Sequence, residues 1–101
     1  MAEPWDLSEE AQGDLASIWL YGAETWSPEQ AEHYYDALLD AFDRLAEFPK
    51  LGRPVRKGGT PALRCLAHRA HLVLYRCDAD GILILRVLGA RQDWLALMGE
   101  D

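Results

Sequence analysis

The chain has 101 residues, half of them apolar and 27% charged, with a net charge of −7; this is the composition of a folded chain with one modest core, and it excludes intrinsic disorder. No apolar run approaches the roughly 18 residues a membrane span needs, and the N-terminus lacks the basic start and apolar stretch of a signal peptide, so a cytoplasmic protein without membrane contact is expected. Cys65 and Cys77 have neither metal spacing nor a secretory context, so no metal or other cofactor is expected and a disulfide has no support.

The charge is unevenly spread. Residues 1–50 carry 12 acids against Arg44 and Lys50, whereas residues 51–101 carry 8 bases against 5 acids. The two halves are therefore expected to meet different partners.

Trp5-Asp6-Leu7 reads as a short strand. Ser8 is a natural N-cap, and Glu9 and Glu10 follow in the first turn, where the helix dipole favours negative charge. Ala11, Leu15, Ile18, Trp19, Gly22 and Trp26 recur at spacings of three and four, predicting a first helix with these residues inward. Ser27-Pro28-Glu29-Gln30 restarts the pattern, with a capping serine, a proline suited to the first helical position and a glutamine where a capping box wants it. The second helix has an apolar stripe of Ala31, Tyr34, Tyr35, Leu38, Phe42 and Leu45, and it ends at Phe48-Pro49 because proline disfavours helical geometry in the residue before it. Its other face carries Glu29, Glu32, Asp36, Asp40, Asp43 and Glu47, an acidic stripe that reads either as a solvated face or as an electrostatic surface that repels nucleic acid and meets a basic partner.

Leu51-Gly52-Arg53-Pro54 and the polar loop through Pro61 lead into three short aliphatic segments, Leu63–Ala67, His71–Cys77 and Ile82–Leu88. The last two are separated by the turn Asp78-Ala79-Asp80-Gly81, and all three read as antiparallel strands. Both faces of the last two strands are largely apolar. One is to be covered by the helical hairpin and the other by the segment from Gln92 to Met98 or by another protein.

Three segments carry a resemblance to a known family: Leu51-Gly52-Arg53-Pro54, Tyr75-Arg76, and Leu85-Arg86-Val87-Leu88-Gly89-Ala90-Arg91-Gln92-Asp93. They look like the ParE branch of the ParE/RelE toxins, and the similarity spans nearly the whole chain as a single toxin domain, residues 1–101. The resemblance implies a RelE-like α+β fold: an N-terminal strand and two-helix hairpin packed on a small antiparallel sheet of three to four strands, with a short C-terminal helix. It also implies a ParD-like antitoxin that neutralises the toxin in a hetero-oligomeric complex, and DNA gyrase as target. The family commonly places a histidine and a glycine before the arginine of the last motif; here Gly89-Ala90-Arg91 stands instead, which removes a local acid/base candidate.

The alternatives are a RelE-like ribosome-dependent mRNA endoribonuclease and a non-toxic antitoxin-binding module. The nuclease chemistry needs a base, an acid and cations at the phosphate. Arg64 and Arg91 resemble the phosphate-binding arginines of such nucleases, but Trp94-Leu95-Ala96-Leu97-Met98 offers no proton-exchanging side chain, and His68 and His71 lie away from the motif. The acidic chain also lacks the basic footprint of a ribosome-binding protein, so action by binding, without catalysis and without direct nucleic-acid contact by the isolated toxin, is expected.

Arg53, Arg64, Arg76, Arg86 and Arg91 are either structural partners of carboxylates or parts of a basic patch. Arg64, Arg76, Arg86 and Arg91, with Trp94 as aromatic anchor, are the candidates for target or antitoxin binding. Tyr34, Tyr35, Leu38 and Phe42 are core residues first, and candidates for bordering an antitoxin groove.

Overall fold

The computed structural model describes residues 4–55, 63–79 and 81–89. In chain order these form β1 (Trp5–Leu7), α1 (Glu9–Thr25), α2 (Pro28–Glu47), β2 (Arg53–Pro54), β3 (Leu63–His68), β4 (His71–Asp78) and β5 (Gly81–Gly89).

Both helix starts follow from serine caps. The Ser8 hydroxyl accepts the Ala11 N–H at 3.0 Å and the Ser27 hydroxyl accepts the Gln30 N–H at 3.1 Å, with Pro28 opening α2. α2 ends where the Phe48 N–H donates to the Arg44 carbonyl at 2.7 Å, immediately before Pro49. Trp26 departs from the expected inward stripe of the first helix. α1 stops at Thr25, so Trp26 leaves the helical phase and is 69% exposed, in edge-to-face contact with Tyr21.

The strands form one five-stranded sheet in the order β1-β5-β4-β3-β2. This corrects the expected antiparallel sheet of three to four strands. β1 pairs with β5 in parallel, Asp6 opposite Leu83, because the helical hairpin intervenes and the chain returns to that edge in the same direction. Arg53-Pro54 adds a two-residue antiparallel strand against Arg64 and Cys65, at the edge where proline's missing N–H is tolerated. The expected C-terminal helix, and the segment from Gln92 to Met98, lie outside the described residues.

The main core sits between hairpin and sheet: Ala11, Leu15, Leu38, Phe42, Leu45, Val73, Tyr75, Ile82, Ile84 and Val87. Each large aliphatic or aromatic side chain fully buried here contributes about 1.5–3 kcal/mol. Val55, Leu63, Cys65 and Leu74, joined by Leu72 and Leu85, form a second cluster, and Leu72 and Leu74 alternate with Val73 and Tyr75 along β4. Strict alternation would have put Val87 with Leu83 and Leu85. Instead the register passes from Tyr75 opposite Ile84 to Leu74 opposite Arg86, leaving Leu85 as an extra residue. This bulge shifts the parity of β5, so Val87 joins Ile82 and Ile84 in the main core.

Candidate functional site: a groove between the hairpin and the sheet

A groove of about 960 Å³ opens between α1, the start of α2 and the β4–β5 end of the sheet. Ile18, Tyr21, Gly22 and Trp26 line one side, Ala31 and Tyr34 another, and Val87 and Leu88 the floor. The helices approach closely at its base: a Cβ on Gly22 would lie 3.3 Å from that of Ala31, tighter than ordinary van der Waals contact. Tyr21, 64% exposed, and Trp26 stand at the mouth and offer large apolar area to a partner.

One wall is electrostatic. β1 covers β5 only as far as Ile84, and α1 supplies what the rest of that edge lacks. The Ser8 hydroxyl donates to the Leu85 carbonyl at 2.8 Å, and the Asp14 carboxylate accepts the Val87 N–H at 2.9 Å. The same carboxylate takes the Arg86 guanidinium in a two-point pair, 2.8 Å from Nε and 3.0 Å from Nη2. The hydrogen bonds that Arg86 donates to this carboxylate hold its pKa above the ordinary value despite partial burial.

The other end is closed by Tyr34, whose hydroxyl lies 2.6 Å from His71 Nδ1 and 3.4 Å from the His68 carbonyl. His68 and His71 pair across β3 and β4 at a two-residue turn in which Arg69 has a positive φ of 53°. Burial, then Arg69 and Arg44, push the His68 imidazole below its ordinary pKa; burial, then His68, do the same to His71. His68 Nε2 is shielded from solvent and, among the described residues, has no hydrogen-bond partner. Burial also raises the Tyr34 phenol, partly offset by the Ala70 backbone and Arg69.

A third arrangement lies beyond the C-terminal end of α2. Tyr75, fully buried, donates its hydroxyl to the Pro49 carbonyl at 2.7 Å and accepts the Gly52 N–H at 2.9 Å. Arg64 Nη1 donates to the carbonyls of Gly52 and, at 3.4 Å, Lys50. A Cβ on Gly52 would fall 2.7 Å from the Tyr75 hydroxyl and 2.8 Å from the Cys65 carbonyl, which is why glycine stands in Leu51-Gly52-Arg53-Pro54.

The arginines singled out from the sequence are thus dispersed. Arg86 lies on the groove and is held by Asp14, Arg64 holds the turn after α2, and Arg76 is exposed on β4 opposite Leu63 and Leu83. Arg91 and Trp94 fall outside the described residues. Of the aromatic stripe, Tyr34 lines the groove and Tyr35 is half-buried against the core. Leu38 and Phe42 have no exposed surface, so they support the hairpin from beneath and do not face a partner. Sequence reasoning passed over Asp14, although a carboxylate in phase with Ala11, Ile18 and Gly22 is a signal of pairing on an otherwise inward face. It also missed Tyr21, which the groove exposes.

A helical hairpin on a five-stranded sheet, with an open and largely apolar groove, defines a small α+β domain. Residues 6–94 match the family described as "ParE toxin of type II toxin-antitoxin system, parDE", and the chain belongs to that family. It is 34% identical over 97 residues to Toxin ParE1 of Caulobacter vibrioides, covering 96% of this chain and 99% of that protein. To Toxin ParE1 of Mycobacterium tuberculosis it is 35% identical over 94 residues, covering 92% and 95%. Among solved structures it shares the fold of a chain in the chromosomal ParDE system from P. aeruginosa, with a TM-score of 0.70 at 21% identity over 84% of this chain and 92% of that one. A chain of the RelBE2 toxin–antitoxin complex from Mycobacterium tuberculosis matches with a TM-score of 0.63 at 21% identity over 84% and 94%.

Proposed function

We propose that the chain is a single-domain cytoplasmic toxin that arrests growth by binding DNA gyrase, and that a ParD-like antitoxin neutralises it in a hetero-oligomeric complex by seating an amphipathic segment in the groove. The observation that carries this reading is the groove itself: an open apolar concavity with Tyr21 and Trp26 exposed at its mouth, in a member of the ParE family. The P. aeruginosa neighbour belongs to a ParDE system, which supports an antitoxin as the occupant. Arg86 is our choice for a groove-side contact, since its paired guanidinium remains 32% exposed and able to meet a carboxylate of the antitoxin. Arg76, Arg91 and Trp94 stay candidates for target or antitoxin contacts.

Action by binding is favoured over RNA cleavage because Arg64, one of the two arginines that resemble the phosphate-binding residues of the nucleases, is committed to the backbone carbonyls of Gly52 and Lys50. The acidic stripe of α2, exposed along its length from Glu29 to Glu47, argues against direct nucleic-acid binding by the toxin alone. No helix of the described residues is long and apolar enough to cross a membrane.

The test is to induce the chain alone in bacteria and to assay gyrase supercoiling by the purified protein alongside transcript integrity. Lost supercoiling or gyrase-dependent DNA breaks with intact transcripts is expected. Cut transcripts with normal supercoiling would replace this reading with the RelE-like ribonuclease.

A further inference from the structure

The turn that follows α2 holds two large apolar side chains in water. Phe48 is 56% exposed and Leu51 48% exposed, and the Leu51 N–H donates to the Phe48 carbonyl at 2.9 Å, so the pair flanks one tight turn. Scattered exposed apolar residues are ordinary. Here the backbone beneath them is fixed from the core: Tyr75 binds Pro49 and Gly52, and Arg64 binds Gly52 and Lys50. Side chains carried on a backbone already fixed in this way lose less freedom on docking.

The charges change sign at the same place. The acidic stripe of α2 ends at Glu47, and Lys50 and Arg53 follow, exposed and, among the described residues, unpaired with a carboxylate. The result is a rigid apolar tip flanked by two cations on a protein of net charge −7. α2 has 20 residues and is therefore about 30 Å long, which separates this tip from Trp26 and the groove at the other end.

The geometry points to this turn as a second docking surface, one that inserts Phe48 and Leu51 into an apolar pocket rimmed by carboxylates on the protein the toxin attacks. Charge complementarity selects the occupant, since exposed cations beside an apolar tip match acidic groups around an apolar depression. A nucleic acid fits less well, because a phosphate backbone offers no apolar depression to Phe48 and Leu51. The inference rests on the reading of the chain as a toxin with a protein target, and it leaves the groove free for the antitoxin.

Two double variants of the full chain test it: Phe48→Ser with Leu51→Ser, and Lys50→Glu with Arg53→Glu. The second alters exposed side chains alone and guards against a folding defect in the first. Growth arrest on induction, supercoiling by purified gyrase, affinity for the ParD-like antitoxin and affinity for a short DNA duplex are measured for each. Both variants are expected to need at least about tenfold more toxin for growth arrest while antitoxin affinity stays within about twofold of the parent. Undiminished arrest by both variants overturns the proposal, as does a parent chain that does not arrest growth at all. Parallel loss of antitoxin binding also overturns it, by assigning the turn to the groove partner or to the fold. DNA binding that is lost on charge reversal and kept on apolar truncation overturns it in favour of a nucleic acid. If the parent arrests growth without inhibiting gyrase and the variants do not arrest, the gyrase reading fails and the turn still docks a protein target.

Discussion

Asp14 and Arg86 meet across 72 residues of sequence in a two-point pair, and one oxygen of the same carboxylate also caps the Val87 N–H at 2.9 Å. A single side chain of α1 thereby completes the edge of β5 where β1 has ended, and it fixes one wall of the groove.

Replacing Asp14 with alanine should therefore cost more than a surface ion pair does. It strands a partly buried N–H and a half-buried guanidinium together, for an expected loss of about 1–3 kcal/mol. Chemical denaturation of Asp14→Ala beside Asp14→Asn reads this out. Asparagine can still accept the Val87 N–H, and it should recover part of the loss; equal losses would mean that the charge, not the edge cap, carries the stability.

At the turn after α2, Gly52→Ala should destabilise by about 1–3 kcal/mol, because its Cβ would meet the Tyr75 hydroxyl and the Cys65 carbonyl well inside contact distance. Tyr75→Phe removes the same hydroxyl without adding bulk and leaves the Gly52 N–H and Pro49 carbonyl unserved, for an expected loss of similar size, about 1–3 kcal/mol. In the double variant the losses should not add, since both break one clamp. Thermal or denaturant unfolding of the three variants measures the coupling.

His68 and His71 both have pKa values lowered by folding. Above the ordinary histidine pKa of about 6.5 neither state holds the proton and no penalty exists. As pH falls through that value the unfolded chain takes up protons that the folded chain resists, so stability declines on acidification until the folded pKa values are passed. Denaturant midpoints between pH 7.5 and about 5 should fall, and a His68→Gln, His71→Gln double variant should flatten that slope. An unchanged slope would assign the effect to other groups.

Much of this fold is legible in the residues. Ser8 and Ser27 announce the helices through their hydroxyls, the stripe from Ala31 to Leu45 predicts the buried face of α2, and the aliphatic runs give β3 to β5 to within a residue or two. β1 and β2 are too short to declare their pairing, and whether Trp5–Leu7 runs parallel to β5 is decided by the long return of the hairpin, a tertiary fact. The bulge at Leu85 is hidden for a related reason: alternation continues on both sides of it, and only the pairing with Leu74 and Tyr75 exposes the shift. The site was less legible. Arginines look alike in sequence, and the partners that separate Arg64 from Arg86, namely the Gly52 carbonyl and Asp14, are 12 and 72 residues away. Trp26 misled because it continues the spacing of a helix that ends one residue before it.

Neutralisation by an antitoxin that fills the groove is tested by amide hydrogen exchange on the toxin with and without a ParD-like antitoxin. New protection is expected at Ile18–Trp26, Ala31–Tyr34 and Arg86–Gly89, with the turn from Phe48 to Arg53 unchanged. Tight binding that leaves those three segments unprotected would contradict it and place the antitoxin elsewhere on the protein.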